Sequence, residues 1–234
     1  ASRGPQPAPT GVLKGSREIG NSYGVFVIAD GVRWGKGSTG IGFALEQEGI
    51  AADITTLAKG LGAGYQPIAA LMAAENVIRV IKNGSGTLWN GHTYMSHAIA
   101  TAGALAVQQV IEEENLLTDV RTRGEQLRKG LQTRLSQNPH VGNIRGRGLF
   151  WTVELVQDRA TKQPFDATLG LAPKVREIAL DLGLMCYPSQ GCADGTQGDH
   201  VLLAPAYTST RKEIETICDL ITQAIETALT GLEA

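Results

Sequence analysis

The chain has 234 residues, 42% of them hydrophobic, and a formal net charge of -2, enough for a substantial core in one large domain or two small ones. Interspersed, nearly balanced charge leaves no basic footprint for nucleic acid or membrane, and no apolar run reaches spanning length, so small molecules are the expected partners. Cys186, Cys192 and Cys218 lack metal-ligand spacing and leave an odd thiol under any pairing, which fits a reducing, cytoplasmic setting.

The opening ASRGPQPAPTG is rich in proline and glycine and predicts irregular chain without a signal-peptide core. The first residue is not Met, so an organellar targeting segment stays open beside the cytoplasmic reading. Residues 13–23 predict a short helix stopped near Gly24, and VFVIAD (25–30) predicts a short buried strand ending in a carboxylate, where open α/β sheets place ligand-contacting groups. GKGSTG (35–40) has the spacing of a dinucleotide fingerprint, but VRW separates it from the strand, so it is read as a structural turn. A brief helix over 43–48 and strands over 53–58 and 67–73 follow.

Within ITTLAKGLGAGYQPIAALMAA (54–74) Lys59 is the only formal charge. Apolar neighbours on both sides predict its burial, which disfavours the ammonium form and leaves a nucleophilic amine able to attack carbonyl carbon. The plainer alternative is a lysine that reaches solvent or binds an anion as a point charge. Asp30 adds a second requirement of pyridoxal chemistry, since a carboxylate keeps the ring nitrogen protonated.

Residues 75–82 predict a helix closing at Asn83-Gly84, and 83–91 a loop. GHTY (91–94) introduces an alanine-rich helix from about Ser96; His92 and His97 are not spaced as metal ligands. Leu116, Val120, Leu127, Leu131 and Leu135 recur at helical spacing and mark core. LFWTVEL lies in a predicted strand, and RGRG before it is read as a turn rather than as an arginine grip on a carboxylate. Leu171, Val175, Ile178 and Leu182 predict a helix ending at Gly183, followed by a strand at MCY, a loop over 188–199 and a last strand at HVLLAP. Thr210 and Glu213 form a capping box before a helix with Ile214, Ile217, Ile221, Ile225 and Leu229 on one face. Alternating strands and helices imply an α/β sheet, with a domain boundary between 112 and 118.

IADGV, GKGSTG and ADITTLAKGLGAGYQPIAALM, continued by GHTYMSHAIATAGALAV, IRGRGLFWTVEL and GDHVLLAPAYTSTRKEIE, resemble the class III pyridoxal-phosphate aminotransferases of the omega-aminotransferase type. The resemblance spans essentially the whole chain but only the second half of family members. It implies a fold type I α/β architecture: a partial large cofactor-binding domain with a mostly parallel sheet over 1–114 and an α+β small domain over 115–234. It implies pyridoxal 5'-phosphate as cofactor, with Lys59 as Schiff-base lysine and general acid/base, Asp30 against the ring nitrogen and Val32 on the ring face. Thr93 and the backbone of His92 are implied to bind the cofactor phosphate of a neighbouring subunit, hence a homodimer with shared active sites.

The implied reaction moves an amino group from an amine or omega-amino acid to a 2-oxo acid. Mutase or decarboxylase chemistry on the same cofactor is the nearby alternative. A different class of reading is a non-catalytic remnant that associates with, or regulates, a full-length aminotransferase. Departures from the pattern are Gly31 where the family has an acid, Ser38 for arginine, Ala98 for proline, and no arginine over 191–199 to hold a substrate carboxylate. With the other half of the family's length unmatched, exposed sheet edges and impaired activity of this chain alone are expected.

Overall fold

In the computed structural model, which describes residues 8–232, the chain forms two units, Ala8–Thr118 and a second from Asp119 onward, and each has its own sheet. The first unit opens with helix α1 (Val12–Tyr23), which stops at Gly24, where φ is 64° and the N–H bonds back to Gly20 O. Left-handed backbone there suits glycine, which carries no Cβ to clash. Strands β1 (Ile28–Asp30), β2 (Ile54–Leu57) and β3 (Ala70–Ala73) lie in that order. Helices α2 (Glu75–Asn83) and α3 (Ala98–Glu113) follow. His97 caps α3 by accepting from Ala100 N at 3.3 Å, which gives this histidine a structural role.

Two expectations change here. The sheet is mixed rather than mostly parallel among these strands: β1 pairs parallel with β2, whereas β3 pairs antiparallel with it. No crossover helix separates β2 from β3, only a tight turn and an extended return, so the chain comes back antiparallel. The strand around Asp30 is also less buried than its composition suggests. Val25, Phe26 and Ile28 are exposed and only Ala29 is buried. Local hydrophobicity states that these side chains favour cover but does not supply it.

The second unit takes its core from helices α4 (Leu116–Leu135), α5 (Leu171–Asp181) and α6 (Arg211–Thr230) against an antiparallel sheet ordered β4-β5-β7-β6. The strands are β4 (Val141–Arg147), β5 (Phe150–Leu155), β6 (Tyr187–Gln190) and β7 (Asp199–Leu203). One face of β5 and β7, with Trp151, Val153, Leu155, Val201 and Leu203, joins Leu127 and Leu131 of α4, Val175 of α5 and Ile221 and Ile225 of α6 in a single cluster. Alternation along the strands and a 3.6-residue stripe on the helices produce that arrangement. Gly130 lets α4 approach α6 closely, because a Cβ there would stand 2.5 Å from Cys218 Sγ. Arg134 ties the same two helices by ion pairs to Glu215 at 2.6 Å and Asp219 at 2.7 Å.

RGR, read from sequence as a turn, is the end of β4; the turn lies at Gly148 and Leu149, and Arg145 pairs with Glu154 across the hairpin. The expected capping box at Thr210 and Glu213 is present, with Thr210 N donating to Glu213 Oε2 at 2.7 Å. All three cysteines are free, and burial pushes each thiol up to about 11, which keeps them protonated and unreactive at neutral pH. Among the described residues no helix is long and apolar enough to cross a membrane, and no group of three or more His, Cys, Asp or Glu could hold a metal ion.

Candidate active site

Asp30 and Lys59 stand at the carboxyl ends of neighbouring parallel strands. Asp30 is the last residue of β1, opposite Thr56 of β2. Lys59 opens the short 3-10 turn Lys59–Leu61 just past the end of β2. This end of a parallel pair is where open α/β sheets receive ligands.

The Asp30 carboxylate is half engaged. Its Oδ1 accepts from Val32 N at 3.1 Å and from Thr56 Oγ1 at 3.4 Å, whereas Oδ2 accepts no hydrogen bond among the described residues. The first bond belongs to a local turn that fixes the side-chain direction. The carboxylate is thus oriented by the protein and retains an oxygen for a donor from outside it.

Lys59 is exposed, contrary to the burial expected from its neighbours. The sequence around it is apolar, but Leu57 takes the buried position while the turn carries the lysine beyond the strand. Its φ of 42° lies in the left-handed region, a conformation that costs a residue with a Cβ about 1–2 kcal/mol. The turn is held from outside: Gln108 Nε2 of α3 donates to Leu61 O at 3.0 Å and lies 3.5 Å from Gly60 O. Gly62 packs against the returning chain, where a Cβ would meet Ile68 Cγ2 at 2.7 Å and Gln66 O at 2.9 Å. Lys59 Nζ itself makes no hydrogen bond or ion pair among the described residues.

Val32 is half-buried in the turn after β1. His92 and Thr93 lie in the exposed loop between α2 and α3, where His92 Nδ1 accepts from Tyr94 N at 3.2 Å. Neither is hydrogen-bonded to Asp30, Val32 or Lys59. Within the first unit the strands therefore bring Asp30 and Lys59 to one end of the sheet, and the loop residues are not part of that hydrogen-bonded group. Thr56 and Gln108 were not legible as site residues. Thr56 is one of two threonines in the strand, and the polar face of Gln108 is lost in an alanine-rich helix.

A family model described as aminotransferase class III matches residues 2–225. The chain belongs to the class III aminotransferases. This class III chain is 43% identical over 230 residues to a Gibberella zeae protein named aminotransferase, covering 98% of this chain and 45% of that one. Among solved structures, a transaminase from a marine Virgibacillus matches with a TM-score of 0.90 at 34% identity, covering 96% of this chain and 50% of that one. An amine transaminase from an uncultivated Pseudomonas species, solved in its PLP-bound form, matches with a TM-score of 0.83 at 32% identity, covering 95% and 48%. The α/β fold is thus that of the transaminases, and the class III chain spans about half the length of the relatives it matches.

Proposed function

We propose that this chain carries the lysine-bearing part of a pyridoxal-phosphate-dependent aminotransferase, which moves an amino group from an amine or omega-amino acid to a 2-oxo acid. The observation that carries the reading is the pair of unengaged groups at one end of β1 and β2: Asp30 Oδ2 and Lys59 Nζ. A carboxylate oxygen and an amine are the two groups the cofactor requires of a protein, one for its ring nitrogen and one for its aldehyde carbon, and both are accessible.

When bound, pyridoxal 5'-phosphate supplies an electron sink for the carbanion at the substrate carbon. Asp30 would hold the proton on the ring nitrogen, its direction set by the bonds from Val32 N and Thr56 Oγ1. Lys59 Nζ would hold the cofactor covalently, and once displaced by the donor amine would take and return the proton of the substrate carbon as general base and acid. Val32, two residues after Asp30, is assigned to the ring face. The exposed loop with His92 and Thr93 is assigned to the phosphate in a second copy of the chain, which fits its lack of hydrogen bonds to Asp30 and Lys59. Exposed Ile99, Leu105 and Val110 on α3 support such association.

The test is borohydride reduction with added pyridoxal phosphate, followed by peptide mapping. The wild-type chain is expected to carry the reduced adduct on the peptide containing Lys59 and to lose it when an amine donor is added before reduction. Lys59→Ala is expected to carry none. Alanine accepts the same left-handed backbone about as poorly as lysine, so this substitution alters the chemistry with little change in strain. An adduct on the same peptide in Lys59→Ala would overturn the assignment. A folded wild-type chain that takes no adduct would instead favour the association reading, for which the exposed apolar side chains speak.

A further inference from the structure

Asp53 is one of two buried carboxylates among the described residues, with Asp199, and the chemistry above makes no use of it. It sits just before β2, at the end of the parallel pair opposite Asp30 and Lys59. Its Oδ2 accepts from Val27 N at 2.8 Å and from Arg17 Nη1 of α1 at 2.5 Å, and its Oδ1 accepts from Asn76 Nδ2 of α2 at 3.3 Å. Its backbone is equally committed: Asp53 N donates to Val27 O at 2.9 Å, and Ala74 N donates to Asp53 O at 2.8 Å. One residue thereby connects α1, the entry to β1, the start of β2, the end of β3 and α2. The Val27 amide foremost, and then Arg17, hold its carboxyl below the usual carboxylate range, so the charged, bonded form is the one the fold favours.

The parallel pair it anchors is short. Three residues of β1 face three of β2, ending with Asp30 opposite Thr56. Pairing of that length has little stability of its own, and a slip by one residue would move Asp30 about 3.3 Å along β2 and turn its side chain to the other face of the sheet. A slip would also break the reciprocal ring in which Val27 N meets the Asp53 carboxylate while Asp53 N meets Val27 O. We infer that Asp53 is a positioning residue: it pins the register of β1 on β2 and so sets Asp30 opposite Thr56 and beside the turn that bears Lys59. This inference rests on the reading of Asp30 and Lys59 given above.

Asp53→Ala and the isosteric Asp53→Asn test it, the second keeping an oxygen for Val27 N–H while removing the negative charge that pairs with Arg17. The first readout needs no cofactor. Hydrogen exchange at Gly31 N, which bonds to Thr56 O at 2.9 Å in the present register, is expected to be about tenfold faster in Asp53→Ala and intermediate in Asp53→Asn, with α6 amides unchanged. The second readout is borohydride labelling at Lys59, expected to fall about tenfold in Asp53→Ala with a shifted visible band for the cofactor that remains bound. If Asp53 only added stability, its replacement would lower the melting temperature and leave the band of the folded fraction in place.

Wild-type exchange at Gly31 in both folded variants, with an unshifted band, would overturn the inference while the aminotransferase reading stands. Should Asp53→Ala not fold, Asp53→Asn decides alone on the same readouts. Should the wild-type chain take no label at Lys59, the functional reading falls and the exchange data still decide the register.

Discussion

Gly31 follows Asp30 at the position where the family resemblance leads one to expect an acid, and the structure gives it a steric role. A Cβ at residue 31 would stand 2.7 Å from Thr56 O and 3.2 Å from Leu57 Cδ2. Gly31 N bonds to that same Thr56 oxygen, and Gly35 N returns to Gly31 O at 2.8 Å. The bare backbone lets the chain close tightly on β2 and places Val32 N on the Asp30 carboxylate. Gly31→Glu is therefore expected to harm the chain rather than restore the family pattern. Gly31→Ala alone should lower stability by about 1–3 kcal/mol, measured as a lower urea midpoint, and an unchanged midpoint would refute the steric account. At this scale the sequence revealed Asp30 and Lys59, because a carboxylate ending an apolar run and a lone charge in another are local signals. Thr56, Gln108 and Asp53 were hidden, since their roles depend on partners dozens of residues away, and so was the exposure of Lys59.

Elements were legible where periodicity and capping agree, as in α6 with Thr210, Glu213 and its isoleucine stripe. They were not legible where an edge relaxes the rules. β6 contains Pro188, read as the start of a loop, yet it is an edge strand in which a missing N–H costs no ladder bond. Helix α5 shows a second kind of hidden feature. Its N-cap, Gly170, has no side chain, and Asp199 of β7 supplies the acceptor instead, its Oδ1 3.1 Å from Ala172 N. Oδ2 of Asp199 is buried without a hydrogen bond, and burial pushes this carboxyl above its ordinary 3.8. The folded chain therefore holds the proton more tightly than the unfolded chain. Below the unfolded value both states are protonated and there is no penalty; as pH rises through 3.8 and onward to the folded value, stability is progressively lost. Asp199→Asn keeps the capping oxygen and cannot ionise. Its melting temperature relative to wild type is expected to rise as pH is raised from the acid side toward neutrality, and parallel curves would contradict this.

For the molecule as a whole, burial is unevenly shared. The continuous hydrophobic cluster is drawn from residues after 119, whereas in 8–118 the buried apolar side chains are few and small apart from Leu45, Leu57 and Leu116. Phe26, Ile28, Leu71, Trp89, Ile99 and Leu105 are all exposed, Trp89 by 88%. Exchange protection should follow that division. Amides of β5, β7 and α6 are expected to exchange slowest, and those of β1, β2 and β3 to open at much lower free energy. Hydrogen-exchange mass spectrometry on the isolated chain checks this, and equal protection in the two sheets would contradict it. The sequence made the apolar residues of both units visible but not this difference between them. Periodicity records which side chains favour cover, and cover itself depends on what else packs there.

The left-handed backbone of Lys59 separates two kinds of selection. Glycine would occupy that position with less strain than lysine, so replacing the reactive amine with a hydrogen atom should leave the fold as stable or more so. A library at residue 59 sorted only for expression or heat tolerance would then accumulate glycine, and with it chains incapable of holding a carbonyl compound. Nothing in the folding of this turn defends the group on which the proposed chemistry depends, and only a screen that demands the chemistry would retain it.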